Sequence, residues 1–255
     1  MADAAAEALS ALVSDRIFGV GGQAAVYVDG ELAVDAAAGV TGSGIAMRPD
    51  HLHLGFCMLK PLPFLVLAAA VEEAGFGPDD PLDEMAEMPD WCPAGLTVRS
   101  LGSHEAGLGS PAAWQWFMAR PSSRPGMLAS AGEDREPAYS DWVAPLVADH
   151  AIEQITGQRA ADYCTEALLE PRGLADDIVF SRPGEGAPGG PRLQCAVAGL
   201  PRRAVPTLST SMCEPDTASF ASGGITAMRG VAGVYSAVGE AMCGKPVAGL
   251  PSPGM

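Results

Sequence analysis

A thiol stands three residues ahead of an ammonium in Cys57-Met58-Leu59-Lys60, and Lys60 is one of only two lysines among 255 residues. If a helix begins here, positions i and i+3 share a face about one turn apart. Lys60 Nζ is then expected beside Cys57 Sγ. A nearby cation and a helix N-terminus both favour thiolate over thiol, and the thiolate is the nucleophile. The chemistry so implied is covalent acyl transfer. Cysteine is also among the most buried residue types, so this spacing by itself more often marks a packed thiol. The flanking sequence has to decide.

The elements that must hold this pair are legible on both sides. Residues 2–16 read as an Ala-rich amphipathic helix. Residues 23–28 and 31–36 are apolar-rich runs joined at Asp29-Gly30, a hairpin signal. Residues 51–56 are short and extended, and residues 62–75 are apolar almost all round, which predicts a buried central helix. Pro61 is easy in a first helical turn, whereas Pro63 is expected to distort the turn that aligns Cys57 with Lys60. Residues 77–93 form an acidic, Pro-rich loop, with 79–90 solvated. Thr97 caps a helix over 97–101. Helical patterns return at 142–156, 159–169 and 226–243, the first two separated at Gly157. Residues 120–137 and 181–206 are irregular, and the Gly/Pro-rich tail 244–255 is expected to fray. No internal repeat and no separating linker is present.

Composition narrows the partners. The chain carries 31 acidic against 15 basic side chains, a net charge of −16. Such a surface repels phosphate backbones and anionic lipid, which argues against nucleic acid or membrane partners. An acidic carrier protein would need a local basic patch, for which Arg202 and Arg203 are the candidates. The N-terminus lacks the early positive charge of a secretory signal, and the apolar run 61–71 is too short to span a bilayer. A cytoplasmic protein with reduced thiols is expected. Cys92, Cys164, Cys195, Cys213 and Cys243 then read as core or surface thiols.

Several weaker motifs occur in a fixed order along residues 20–245. The strand pair Ala24-Ala25-Val26-Tyr27-Val28-Asp29-Gly30-Glu31-Leu32 is followed by Pro49-Asp50 and then by Cys57-x-x-Lys60. Gly95-Leu96-Thr97-Val98-Arg99-Ser100-Leu101-Gly102-Ser103-His104-Glu105-Ala106-Gly107-Leu108 comes next, then Tyr139-Ser140-Asp141, Glu170-Pro171-Arg172-Gly173-Leu174 and Ser222-Gly223-Gly224-Ile225. Together they resemble the serine β-lactamase and penicillin-binding-protein superfamily, in particular its esterase, transacylase and class C β-lactamase-like branch. The resemblance implies an α+β fold of the β-lactamase/DD-peptidase type. It also implies one domain over 1–255, a sheet layer of about residues 1–56 with 220–255 around a helical sub-domain of about 57–219.

Carried over by position, the resemblance puts Cys57 in the nucleophile's place and Lys60 in that of the lysine that activates it. Tyr139 takes the place of the tyrosine that moves protons to and from the leaving group. The backbone N–H of Cys57 would supply half of an oxyanion hole. Three departures stand out. Cysteine replaces serine, and a thiol loses its proton far more readily than a hydroxyl, which favours thioester or transfer chemistry over β-lactam cleavage. Asp141 stands where the family has Asn, so a carboxylate is expected near Lys60 as a modulator. After residue 243 no Lys-Thr-Gly or His-x-Gly strand follows. The hairpin is therefore expected to present an open edge that a second copy of the chain covers.

Other signals are weaker. His51 and His53 alternate on a short strand, but two histidines without a third close ligand are ordinary packing more often than a metal site. His104 reads as structural. Gly19-Val20-Gly21-Gly22 precedes a strand and is not a phosphate cradle, and no G-x-S-x-G occurs. Trp114 and Trp116 are candidates for lining a substrate cleft. The resulting expectation is a cysteine-dependent acyl enzyme without metal or cofactor. Its substrate would be a small, biosynthetic acyl compound, by analogy one of secondary metabolism. The alternative is a binding protein or partner subunit that keeps the cleft without turnover.

Overall fold

A computed structural model describes residues 2–15, 19–109, 127, 136–140, 143–180, 192–194 and 219–255. Asp29 and Gly30 both take positive φ, 53° and 85°, the mirror-image turn whose twist matches paired strands. Strands β1 (Gly21–Val28) and β2 (Glu31–Gly39) therefore pair antiparallel, with Val28 opposite Glu31 and a bulge between Val26 and Tyr27. Helix α1 (Ala2–Ser14) lies against this hairpin.

Helix α2 (Pro61–Glu73) is the centre of the main core. Leu62, Val66, Leu67, Ala70 and Val71 are buried on several sides of it, as expected for a helix without a polar face. It packs on α3 (Val98–Gly102), α4 (Val143–Thr156) and α5 (Ala160–Cys164). The Thr97 side chain accepts from Ser100 N and the Ser100 hydroxyl from Thr97 N, a reciprocal cap on α3.

A second, small antiparallel sheet has the order β3 (His53–Leu54), β5 (Ile225–Thr226), β4 (Ile178–Val179). Helix α6 (Met228–Met242) leaves this sheet and packs against β1. One amide joins these parts. Gln23 Nε2 donates to the carbonyls of Arg48 and His51 at 2.7 and 2.9 Å, and its Oε1 accepts from Met228 N at 3.0 Å. Nearby, the Asp177 carboxylate receives Arg192 and Arg229 at 2.6 and 2.7 Å, and Arg229 reaches on to Asp35 at 3.2 Å. Hairpin, β4 and α6 are thus cross-tied by satisfied charges rather than by apolar packing alone.

Three expectations are corrected. The helix begins at Pro61 and not at Cys57, which sits in a separate 3₁₀ turn, Phe56–Met58. Pro63 causes no distortion, because it lies in the first turn, where backbone N–H groups lack intrahelical partners anyway. The acidic loop does expose Asp79, Asp83, Glu84, Glu87 and Asp90 to solvent, and it is also anchored: Leu82 is fully buried, and Met85, Met88 and Trp91 pack on the core. The tail does not fray. Leu250 is buried, Ser252 N donates to Glu72 Oε2 at 2.8 Å, and Arg172 Nη2 donates to Ala248 O at 2.6 Å. Among the described residues, no helix is long and apolar enough to cross a membrane.

Candidate active site

The turn that carries Cys57 is held by close backbone packing. Gly55 N donates to Gly224 O at 2.8 Å, continuing the pairing of His53 with Thr226 and Leu54 with Ile225. A Cβ on either Gly55 or Gly224 would stand 2.5 Å from Leu59 Cδ1. Their missing side chains make the socket that Leu59, 1% exposed, fills from inside the Cys57-x-x-Lys60 turn. Phe56, just before the thiol, has a φ of 44°, unusual for a bulky side chain and the kind of backbone strain that collects at functional sites. Leu59 N and Lys60 N donate in turn to Phe56 O and Cys57 O at 3.1 and 3.3 Å. The Cys57-x-x-Lys60 backbone is therefore closed by i to i+3 bonds, as a 3₁₀ turn rather than an α-helical one.

Lys60 caps the start of α2 and points its amine at Tyr139. Nζ donates to Tyr139 Oη at 2.7 Å and lies 4.1 Å from the ring centroid. Tyr139 is itself held by His104. Ala138 N donates to His104 O at 3.2 Å, Ser140 N to His104 Nδ1 at 3.3 Å, and the two rings are 4.7 Å apart. His104 (φ 61°) also meets Phe64 edge-on. Read as structural from the sequence, it turns out to clamp the irregular segment that presents Tyr139. Nothing in its sequence position signalled that, because Tyr139 lies 35 residues away (139 − 104).

Cys57, Lys60 and Tyr139 line one cavity of about 560 Å³, within the size range of small-molecule sites. Cys57 and Tyr139 are exposed to it. Phe64, Leu65, Ala68 and Val98 form its apolar side, and Arg99 stands at the rim, bound to Asp79 at 2.6 Å. Asp141, Trp114, Trp116, Arg202 and Arg203 lie outside the described residues, as do Cys195 and Cys213.

Of the other three described thiols, Cys243 is exposed at the end of α6 but does not line this cavity, and Cys92 and Cys164 are withdrawn from solvent. Burial pushes the Cys92 thiol up to about 12 and that of Cys164, which is fully buried, higher still. Neither resembles a nucleophile's surroundings. Cys164 lies near Asp149, whose carboxyl burial raises well above the usual carboxylate range despite hydrogen bonds from Phe220 N (2.8 Å) and the Ser219 hydroxyl (3.1 Å). Through these bonds Asp149 holds the turn Phe220–Gly223, which leads into Gly224. His51 Nδ1 accepts from Arg48 N at 3.3 Å, and burial lowers the pKa of His53, whose ring stands beside the Gln194 backbone. Among the described residues no three His, Cys, Asp or Glu side chains are grouped as a metal site would require.

Comparisons with known proteins agree with this layout. The beta-lactamase family model matches residues 9–238. No curated protein matches the sequence. Among solved structures, the octameric penicillin-binding protein homologue from Pyrococcus abyssi superposes with a TM-score of 0.65 at 15% identity, over 99% of this chain and 58% of that one. D-amino acid amidase from Ochrobactrum anthropi SV3, complexed with L-phenylalanine, gives 0.69 at 18% identity, over 93% and 69%. A D-stereospecific amidohydrolase from Streptomyces sp. gives 0.61 at 22%, over 94% and 74%. At these identities the likeness is one of fold. The chain spans little more than half the length of the first.

Proposed function

Because the chain belongs to the beta-lactamase family, we propose that it is a cysteine-dependent acyl enzyme, a hydrolase or acyltransferase acting on a small acyl substrate. The observation that carries this reading is the 2.7 Å bond between Lys60 Nζ and Tyr139 Oη in the one cavity that Cys57 also lines. In this scheme the neutral amine of Lys60 takes the proton of Cys57 Sγ, becoming the ammonium that donates to Tyr139 Oη, and the thiolate attacks the carbonyl of an ester, thioester or amide. The carbon–sulfur bond forms and the bond to the leaving group breaks, and the leaving group departs with a proton returned by the same pair. Water or an acceptor then attacks the thioester, and the thiol is regenerated. The backbone N–H of Cys57 faces the developing oxyanion in this scheme. The reading treats residues 1–255 as a single domain.

Two features favour self-association through the hairpin. Val26, Val28 and Leu32 are each 41–43% exposed on it, and paired strands with a bare edge invite another copy. The octameric architecture of one structural relative accords with that. Light scattering after size exclusion tests it: a multiple of 26.0 kDa is expected, and a strict monomer rejects it.

The acyl reading is tested by intact mass after incubation with activated esters and thioesters. A stoichiometric acyl adduct on Cys57, absent from Cys57→Ala, is expected. Alkylation of Cys57 no faster than a free model thiol, with no adduct from any ester, would instead support a binding protein.

A further inference from the structure

The lining of the cavity beside Cys57 is mixed. Cys57, Lys60, Tyr139, Arg99, Ser103 and His104 contribute polar groups, but apolar surface dominates, built by Phe64, Leu65 and Ala68 of α2 and Val98 of α3. Pro251 and Met255, from the tail whose composition predicted fraying, belong to the same apolar lining.

That tail is fixed at successive points. Arg172 holds the Ala248 carbonyl, Leu250 is buried, Glu72 accepts from Ser252 N, and Met255 N turns back to Ser252 O at 3.1 Å. Gly249, with φ of 68°, passes so close to Ala167 that a Cβ would stand 2.1 Å from its carbonyl oxygen, so only glycine fits there. Met255 packs against the main core and faces the cavity at once. A wall anchored in this way sets a boundary rather than a fluctuating fringe.

We infer that this apolar compartment receives the acyl group of the substrate, and that Met255 and Pro251 set how long that group can be. The inference rests on the acyl-enzyme reading and deepens it. The preferred donors are esters or thioesters of uncharged aliphatic or aromatic acids. A charged acyl group would have to leave water for a lining dominated by Phe, Leu, Ala, Val and Pro, where the Arg99 guanidinium is already bound to Asp79.

The test is a series of para-nitrophenyl esters, from acetate through butanoate to hexanoate, with kcat/KM read from nitrophenolate release. Each added methylene that enters the compartment is expected to raise kcat/KM ~4-fold, so hexanoate should exceed acetate by on the order of 100-fold. Met255→Trp, which adds bulk to that wall, should cut that ratio to within about 10-fold. Met255→Ala, which only removes atoms, should move the optimum toward longer acids. Equal rates along the series, or a ratio untouched by Met255→Trp, would overturn the inference and leave the acyl enzyme standing.

A second arm separates the two readings. Hexanamide is titrated calorimetrically into Cys57→Ala and into the double variant Cys57→Ala/Met255→Trp. Binding lost only in the double variant, with no ester giving an adduct on the native protein, keeps the compartment and rejects the chemistry. No binding and no adduct reject both.

Discussion

Cys57 and Cys164 place the same side chain in opposite settings. Cys164 lies in the seam between α4 and α5, fully buried, beside a carboxyl that is buried too. Burial disfavours the charged form of both groups, which suits the seam to packing and not to nucleophilic attack. Cys57 lies in a strained turn, open to a cavity, with an ammonium–phenol pair lining the same space. The difference teaches that in this chain the turn, and not the residue type, makes a sulfur available for chemistry.

The sharpest way to break that contrast is to delete each sulfur. Cys57→Ala is expected to abolish acylation with Tm unchanged, whereas Cys164→Ala should keep acylation and lose about 0.5–3 kcal/mol of stability. Mass spectrometry and thermal unfolding read the two effects. Next in size, Lys60→Met should slow acylation of Cys57 by about 10²–10⁴-fold in single-turnover kinetics, and the same rate constant for Tyr139→Phe should fall by less. Leu59→Ala empties the socket under the turn; it should cost about 2–5 kcal/mol in denaturant titration and slow acylation although Leu59 touches no substrate. The smallest effect concerns pH. Because the folded-state pKa of Asp149 is raised by burial, the unfolded state gives up that proton first as pH rises. Stability from this group is full below the unfolded value, about 3.9, and declines as pH climbs toward the folded one. Asp149→Asn mimics the protonated acid and should flatten that decline in a Tm-against-pH series. An unchanged slope would show that Asp149 is ionised in the fold.

How far the sequence carried the reading varied with the range of the interactions. Asp29-Gly30 and Thr97 each encode a local backbone geometry, so the hairpin and the α3 cap were legible from a few residues. The bond between Lys60 and Tyr139 spans 79 positions; only the family pattern, not spacing, brought those two residues together. The central helix expected over 62–75 begins within a residue of that, at Pro61, but the Cys57 segment before it is not helical: Gly55 pairs with Gly224, a partner far along the chain, and so bends the backbone into a separate turn. The tail was misread for a related reason. Gly and Pro there do not signal disorder: Gly249 permits close approach to Ala167, and Pro251 supplies an apolar wall. In the acidic loop the charges hid Leu82, one buried leucine that ties the segment down.

The amide of Gln23 has a consequence for the order in which this molecule assembles. Its bond to Met228 joins positions 205 apart, and the pairing of His53 with Thr226 beside it is nearly as distant. Contacts of such separation form late, after shorter loops have closed. As the polypeptide emerges from the ribosome, the thiol segment lacks its neighbouring strand until residue 226 has been made. Nascent chains should therefore stay inert toward acyl donors until synthesis has passed that point.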